Sequence, residues 1–221
     1  MPPTSETRLP AVTEAFGTAR DAAATALVLA QLDTLGRSGP ILWVQDRLSA
    51  QEGGLPYTRG IAGIIGEDKP ILRVAARTAA EALWAMEEGL ECAALSAVIG
   101  EVWGTPRVLD FTASKRLALR SQRSGVPLWL LRPDAEPGLS VAPDRWHVSA
   151  ALSTPNMLDS RAPGTPRWMA DLFRSRRRPP GIWMVAHDRA THRLHLDAPL
   201  RDGAVGTGPQ PIPAPDTRAV G

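Results

Sequence analysis

The sequence predicts an α/β domain: a mostly parallel sheet flanked by helices, with antiparallel strands at one edge. Three observations carry this expectation. Short apolar runs at 41–45 (ILWVQ), 94–102 (ALSAVIGEV) and 127–131 (PLWLL) suit strands covered on both faces of a parallel sheet. Helix and strand units alternate three times, the pattern of right-handed crossovers. Beyond Trp146, strand-like segments follow one another without helices between them, which favours antiparallel pairing.

Each element has a local reason. Leu9–Phe16 reads as a short strand leading into Gly17. Asp21 is a good N-cap for a helix from Ala22, whose Leu27, Val28, Leu32 and Leu35 repeat one buried face; Gly36 and Gly39 end it. The Gly-rich stretch 51–66 is expected to be loop with a short helix, closing on a weak strand at Ile61–Ile65 or Ile71–Val74. Thr78 and Glu81 have capping-box spacing and open a helix to about Cys92. Its Leu83, Met86 and Leu90 face inward, while Glu87, Glu88 and Glu91 are expected in water. Cys92 is expected to be buried as a small hydrophobe. Thr112 is the expected cap of a basic helix that Gly125 ends. Trp146–Leu152, Trp168–Arg174, Ile182–His187 and Arg193–Leu196 complete the strands, with SRRRPPG turning the hairpin between the second and third of these.

The 221 residues, 43% hydrophobic and 22% charged, suffice for one sizeable core. The organisation expected is a disordered start at 1–8, one domain at 9–198 and a flexible Pro/Gly-rich tail at 199–221. A single cysteine excludes an internal disulfide. The first residues, MPPTSETR, lack an apolar signal core, and the run Ala22–Ala30 is shorter than the ~20 residues that span a bilayer. A soluble, cytoplasmic protein without membrane contact is therefore expected. Charge is uneven: residues 1–111 carry −5 and residues 112–195 carry +8. That split favours an anionic partner for the later half, or simply a solvated arginine-rich face.

The loop before the first helix sits where an α/β nucleotide-binding domain holds phosphate. A working loop is GxxxxGK[ST]: glycines let backbone amides wrap the phosphates, Lys neutralises them and the hydroxyl binds Mg²⁺. Counted from Gly17, the second Gly, the Lys and the Ser/Thr are replaced by Ala22, Ala23 and Ala24; a shift by one residue recovers only Thr25. A charge-assisted hydrogen bond contributes roughly 1.5–3 kcal/mol, so loss of the Lys alone weakens phosphate binding about tenfold or more. Asp21 adds a carboxylate at the helix N-terminus, where it can satisfy the amides and repel phosphate. No cofactor is expected, and no catalytic residue is assigned. Glu101 and Asp46, at the ends of two apolar strands, could serve Mg²⁺ or a water only if phosphate were bound; strand alternation also leaves Glu101 free to point away from the loop.

The segments LPAVTEAFG, ILWVQD, AEALWAMEEGLECAALSAVIGEV, LDFTASKRLALRSQRSGVPLWLLRP and PRWMADLFRSRRRPPGIWMVAHDRATHRLHL together resemble the bacterial ImuA proteins, RecA relatives also described as SulA-like. The resemblance spans about residues 9–196. It implies a RecA-like core and a role in damage-induced, mutagenic translesion DNA synthesis, and the degenerate loop makes a non-catalytic part in it the expectation. The partners it implies are ImuB, a Y-family polymerase relative, and an error-prone C-family polymerase, with DNA or RecA as further candidates. Two alternatives stay open: an ATPase completed by a partner, and a cell-division inhibitor of the SulA type.

The sequence offers one candidate contact, Arg174, Arg176, Arg177 and Arg178 at the hairpin turn, where guanidinium groups suit phosphates or an acidic protein surface. A turn kept polar against edge pairing explains the same residues. Trp168 and Trp183 flank it at positions that favour core packing over base stacking. His187, His192 and His195 have no metal-ligand spacing with a Cys or carboxylate cluster.

Overall fold

The computed structural model describes residues 12–32, 36–66, 68–159, 161–188 and 190–196. The expected disordered start, the tail and Leu35 lie outside the described residues. Ten segments build the first half in alternation: β1 (Val12–Gly17), α1 (Ala23–Leu32), β2 (Ile41–Gln45), α2 (Arg47–Glu52), α3 (Thr58–Ile65), β3 (Ile71–Ala75), α4 (Ala79–Gly89), β4 (Ala97–Glu101), α5 (Phe111–Ser124) and β5 (Leu128–Pro133). Four strands follow without helices: β6 (Asp144–Ala151), β7 (Arg167–Ser175), β8 (Gly181–Asp188) and β9 (Arg193–Leu196). All described strands join one sheet in the order β3-β2-β4-β5-β1-β6-β7-β8-β9. Pairing is parallel from β3 through β6 and antiparallel from β6 through β9. The α/β class and the antiparallel edge are thus as the sequence predicts.

Strand alternation divides the apolar side chains into two cores. On one face Ala15, Ile41, Trp43, Ile99, Trp129 and Leu131 meet α1 and α3, joined by Trp146, Trp168 and Val185 from the antiparallel edge. On the other, Leu42, Val44, Val98, Leu128 and Leu130 meet α4 and α5. Trp168 is buried and Trp183 packs half-buried on the same core, against Trp146. Glycine lets α4 approach closely: a Cβ on Gly100 would lie 2.0 Å from Met86 Sδ.

Several expectations are corrected. α1 buries nearly its whole circumference rather than one face, because the sheet lies under it and α3 packs across it. Ile61–Ile65 is the end of α3, and Ile71–Ala75 is the strand; Gly66, at φ 85°, terminates the helix in the left-handed conformation that glycine tolerates. Asp110, not Thr112, caps α5, its Oδ1 accepting from Ala113 N at 2.8 Å. Glu87 is buried between α4 and α5, where Arg116 bonds its carboxylate at 2.9 Å; Arg120 lies 3.6 Å from it and reaches Glu91 at 2.9 Å. Glu87 thus meets the basic row of α5 instead of water, while Glu88 and Glu91 are exposed as expected. Cys92 is exposed, because α4 ends at Gly89 and the chain turns outward before β4.

Among the described residues, no helix is long and apolar enough to cross a membrane.

Candidate functional site

The carboxyl ends of β1, β2, β4 and β5 frame a cleft of about 310 Å³, roofed by the loop 53–57, α3 and the N-terminus of α1. Open α/β sheets place ligands at this edge. Gly17 ends β1 here, and its missing side chain is required: a Cβ would stand 3.0 Å from Val148 O and 3.4 Å from the methyl of Ala24.

Asp21 behaves as the sequence suggests. Its Oδ1 accepts from Ala23 N at 2.8 Å, satisfying an amide of the first turn of α1, and its Oδ2 accepts from Ala150 N on β6 at 2.5 Å. One carboxylate therefore caps the helix and ties it to the sheet edge, in the place where a phosphate would take amides. Ala22 is exposed at the mouth, whereas Ala23 and Ala24 are buried, so no side chain at these positions reaches out to neutralise an anion.

Each Asp46 carboxylate oxygen holds a backbone amide. Its Oδ1 caps α2 through Ser49 N at 2.8 Å and its Oδ2 accepts from Trp103 N at 3.2 Å. Glu101 corrects the expectation that it points away: it shares the face of Trp43 and Ile99 and lines the cleft. Trp43 Nε1 donates to its Oε1 at 2.9 Å and Gln45 Nε2 to its Oε2 at 2.8 Å. Burial pushes the Glu101 carboxyl above the ordinary glutamate value; the two hydrogen bonds pull it back in part, and nearby Asp46 raises it further. Gln45 Oε1 and Ser49 Oγ, both on residues lining the cleft, have no hydrogen-bond partner. Pairing register gives the signal that sequence reading missed: Gln45 lies directly opposite Glu101.

The four hairpin arginines divide into two pairs. Arg177 bonds the buried Asp144 at 2.5 Å, and the same carboxylate accepts from Ser175 Oγ at 2.7 Å. The Arg178 guanidinium lies over the Trp146 ring, 5.1 Å from its centroid. Arg174, at the end of β7, and Arg176, on the turn, are exposed, as are Arg177 and Arg178, whose charges are also met by Asp144 and by the Trp146 ring.

A buried ion pair went unread in the sequence. Glu14, in the central strand β1, bonds Arg145 Nε of β6 at 2.6 Å and accepts from Ser140 Oγ at 2.7 Å. Beside it Arg132 lies 5.6 Å from the Phe16 ring centroid and donates to Gly104 O at 2.8 Å. His187 Nε2 is 3.0 Å from Ile64 O, joining β8 to the end of α3. Among the described residues, no three His, Cys, Asp or Glu side chains gather as a metal site.

No protein-family model matches the chain. Curated proteins do: the chain is 29% identical over 189 residues to Protein ImuA of Caulobacter vibrioides, in both strain NA1000/CB15N and strain CB15. The match covers 81% of this chain and 72% of the relative.

Proposed function

We propose that this chain is a non-catalytic, RecA-like accessory protein of an ImuA/ImuB-type mutagenesis system, acting in damage-induced translesion DNA synthesis. The observation that carries the reading is the similarity to Protein ImuA over most of both chains. The geometry of the cleft supports the absence of turnover: Asp21 takes the amide that a phosphate would use, Ala23 and Ala24 are buried where Lys and a hydroxyl would act, and Asp46 is committed to backbone bonds. The partner is an ImuB-type polymerase relative, working with an error-prone C-family polymerase, and Arg174 and Arg176 are the hairpin residues that contact it or DNA.

Calorimetry with Mg·ATP and pull-down with the ImuB-type partner test this together. The expected result is stable capture of the partner with no saturable heat from ATP. Micromolar ATP binding with turnover, alone or on adding the partner, would establish an ATPase instead.

A further inference from the structure

The cleft has lost its phosphate chemistry without being filled, and the polar groups left in it have the opposite character. Two of its lining side chains are acidic, Asp21 and Glu101, with Asp46 just behind Glu101. Among the described residues Arg132 is the one cationic residue of the lining; its Nη2 donates to Gly104 O and its guanidinium lies over Phe16, while its Nε has no partner. Gln45 Oε1 is an acceptor without a donor, at a residue 1% exposed, and the equally buried Ser49 hydroxyl also lacks a partner. Unpaired buried polar atoms are uncommon and costly, which marks a place where something external can complete the bonding. A carboxylate has about four lone-pair positions, so Glu101 retains acceptor capacity beyond its bonds to Trp43 and Gln45. The walls are apolar, from Leu29, Trp43 and Ile61.

We infer that the cleft binds an organic cation, a guanidinium or ammonium group on an apolar stem, with Glu101 as its counter-charge and Gln45 Oε1 as a further acceptor. The stem lies against the apolar walls while the head meets Glu101, as long basic side chains do when only their tips are polar. An arginine or lysine from a protein segment and a free alkyl amine share this chemistry. The inference rests on the reading that the cleft is closed to phosphate, and it goes beyond it by giving the cleft a ligand.

The full chain is titrated calorimetrically with butylguanidinium and with its neutral isostere butylurea, while the Trp43 indole N–H, bonded to Glu101, is followed by NMR. The guanidinium is expected to bind at least tenfold tighter and to move the Trp43 signal. Glu101→Gln should abolish that preference. Equal binding of the two probes, or a preference that survives Glu101→Gln with Trp43 unmoved, overturns the inference. Should Glu101→Gln fail to fold, the probe comparison and the Trp43 signal in the unaltered protein still decide. An acetyl-Gly-Arg-Gly-amide peptide that binds tighter than butylguanidinium would support a protein segment as the source; equal or weaker peptide binding would support a free amine. Saturable Mg·ATP binding would overturn the proposed function, whereas absence of a guanidinium preference overturns only the cation site.

Discussion

Removing the Asp21 carboxylate tests whether the phosphate position is held by the protein itself. Asp21→Ala deletes two bonds: the cap to Ala23 N at 2.8 Å and the tie to Ala150 N at 2.5 Å. Loss of an N-cap costs about 0.5–2 kcal/mol, and a hydrogen bond to a charged group contributes about 1.5–3 kcal/mol. The two together predict a destabilisation of roughly 2–5 kcal/mol. At about 2 kcal/mol per M of urea, the unfolding midpoint falls by about 1–2.5 M. Asp21→Asn, which keeps an oxygen for Ala23 N but loses the charge, should fall by about half as much. Urea unfolding followed by circular dichroism measures both. The variant gains no Mg·ATP binding, because the loop still lacks a cation. A loss under ~0.5 kcal/mol would refute the idea that Asp21 holds this loop, since that is the scatter of ordinary surface substitutions.

Three further perturbations separate structural from functional charge. Arg145→Ala strands Glu14 in the sheet and should cost about 3–5 kcal/mol, whereas replacing both partners with apolar residues recovers most of it; chemical denaturation of the single and double variants decides. Arg174→Ser with Arg176→Ser should leave stability within ~0.5 kcal/mol and abolish a salt-sensitive DNA shift or the partner pull-down, while Arg177→Ser should cost about 1.5–3 kcal/mol by unpairing the buried Asp144; retention of both binding activities in the double variant would clear the hairpin of a contact role. Glu101 is held above the ordinary value of 4.5 in the fold by burial, so the folded state keeps its proton longer and the group's contribution to stability declines as pH rises through the raised value. Glu101→Gln should therefore gain on the unaltered protein in urea midpoints as pH rises above about 4.5, and a difference independent of pH would count against the burial of that carboxyl.

The frame was legible because apolar runs, turn glycines and helical spacing are local signals. ILWVQ, AVIGE and PLWLL are buried strands, and the absence of helices after Trp146 marks the antiparallel edge. Asp21 was legible for the same reason, since an N-cap acts two residues along the chain. What failed depends on neighbours distant in sequence. Glu87 is solvated in an isolated helix, and only the arrival of α5 supplies Arg116 and Arg120. GIAGII has apolar residues that fit either period, and the strand beside it was taken by Ile71–Ala75 through pairing with β2. The face of Glu101 follows from the register of β4 on β2, which places it opposite Gln45; a single strand read alone leaves that parity open.

Under the proposed non-catalytic reading, the obstacles to phosphate are set several side chains deep, which argues against a dormant nucleotide site. Restoring the motif would place a Lys at Ala23, a residue 2% exposed, and a buried ammonium without a partner costs several kcal/mol. A larger side chain at Ala24 would press toward Gly17, where even one added Cβ would stand 3.4 Å from the Ala24 methyl. The amide the phosphate needs is taken by Asp21, and freeing it also detaches α1 from β6. Each restoring step therefore removes a packing or capping interaction before any ligand binding can offset it. Yet the cleft is open, with Glu101 on its floor and Gln45 Oε1 unpaired beside it. A packed protein that no longer needed this space would fill it at little cost with a larger side chain at the exposed Ala22, which stands at its rim. An open acidic cleft on a frame locked against phosphate is thus better explained by a cationic guest than by a vestige.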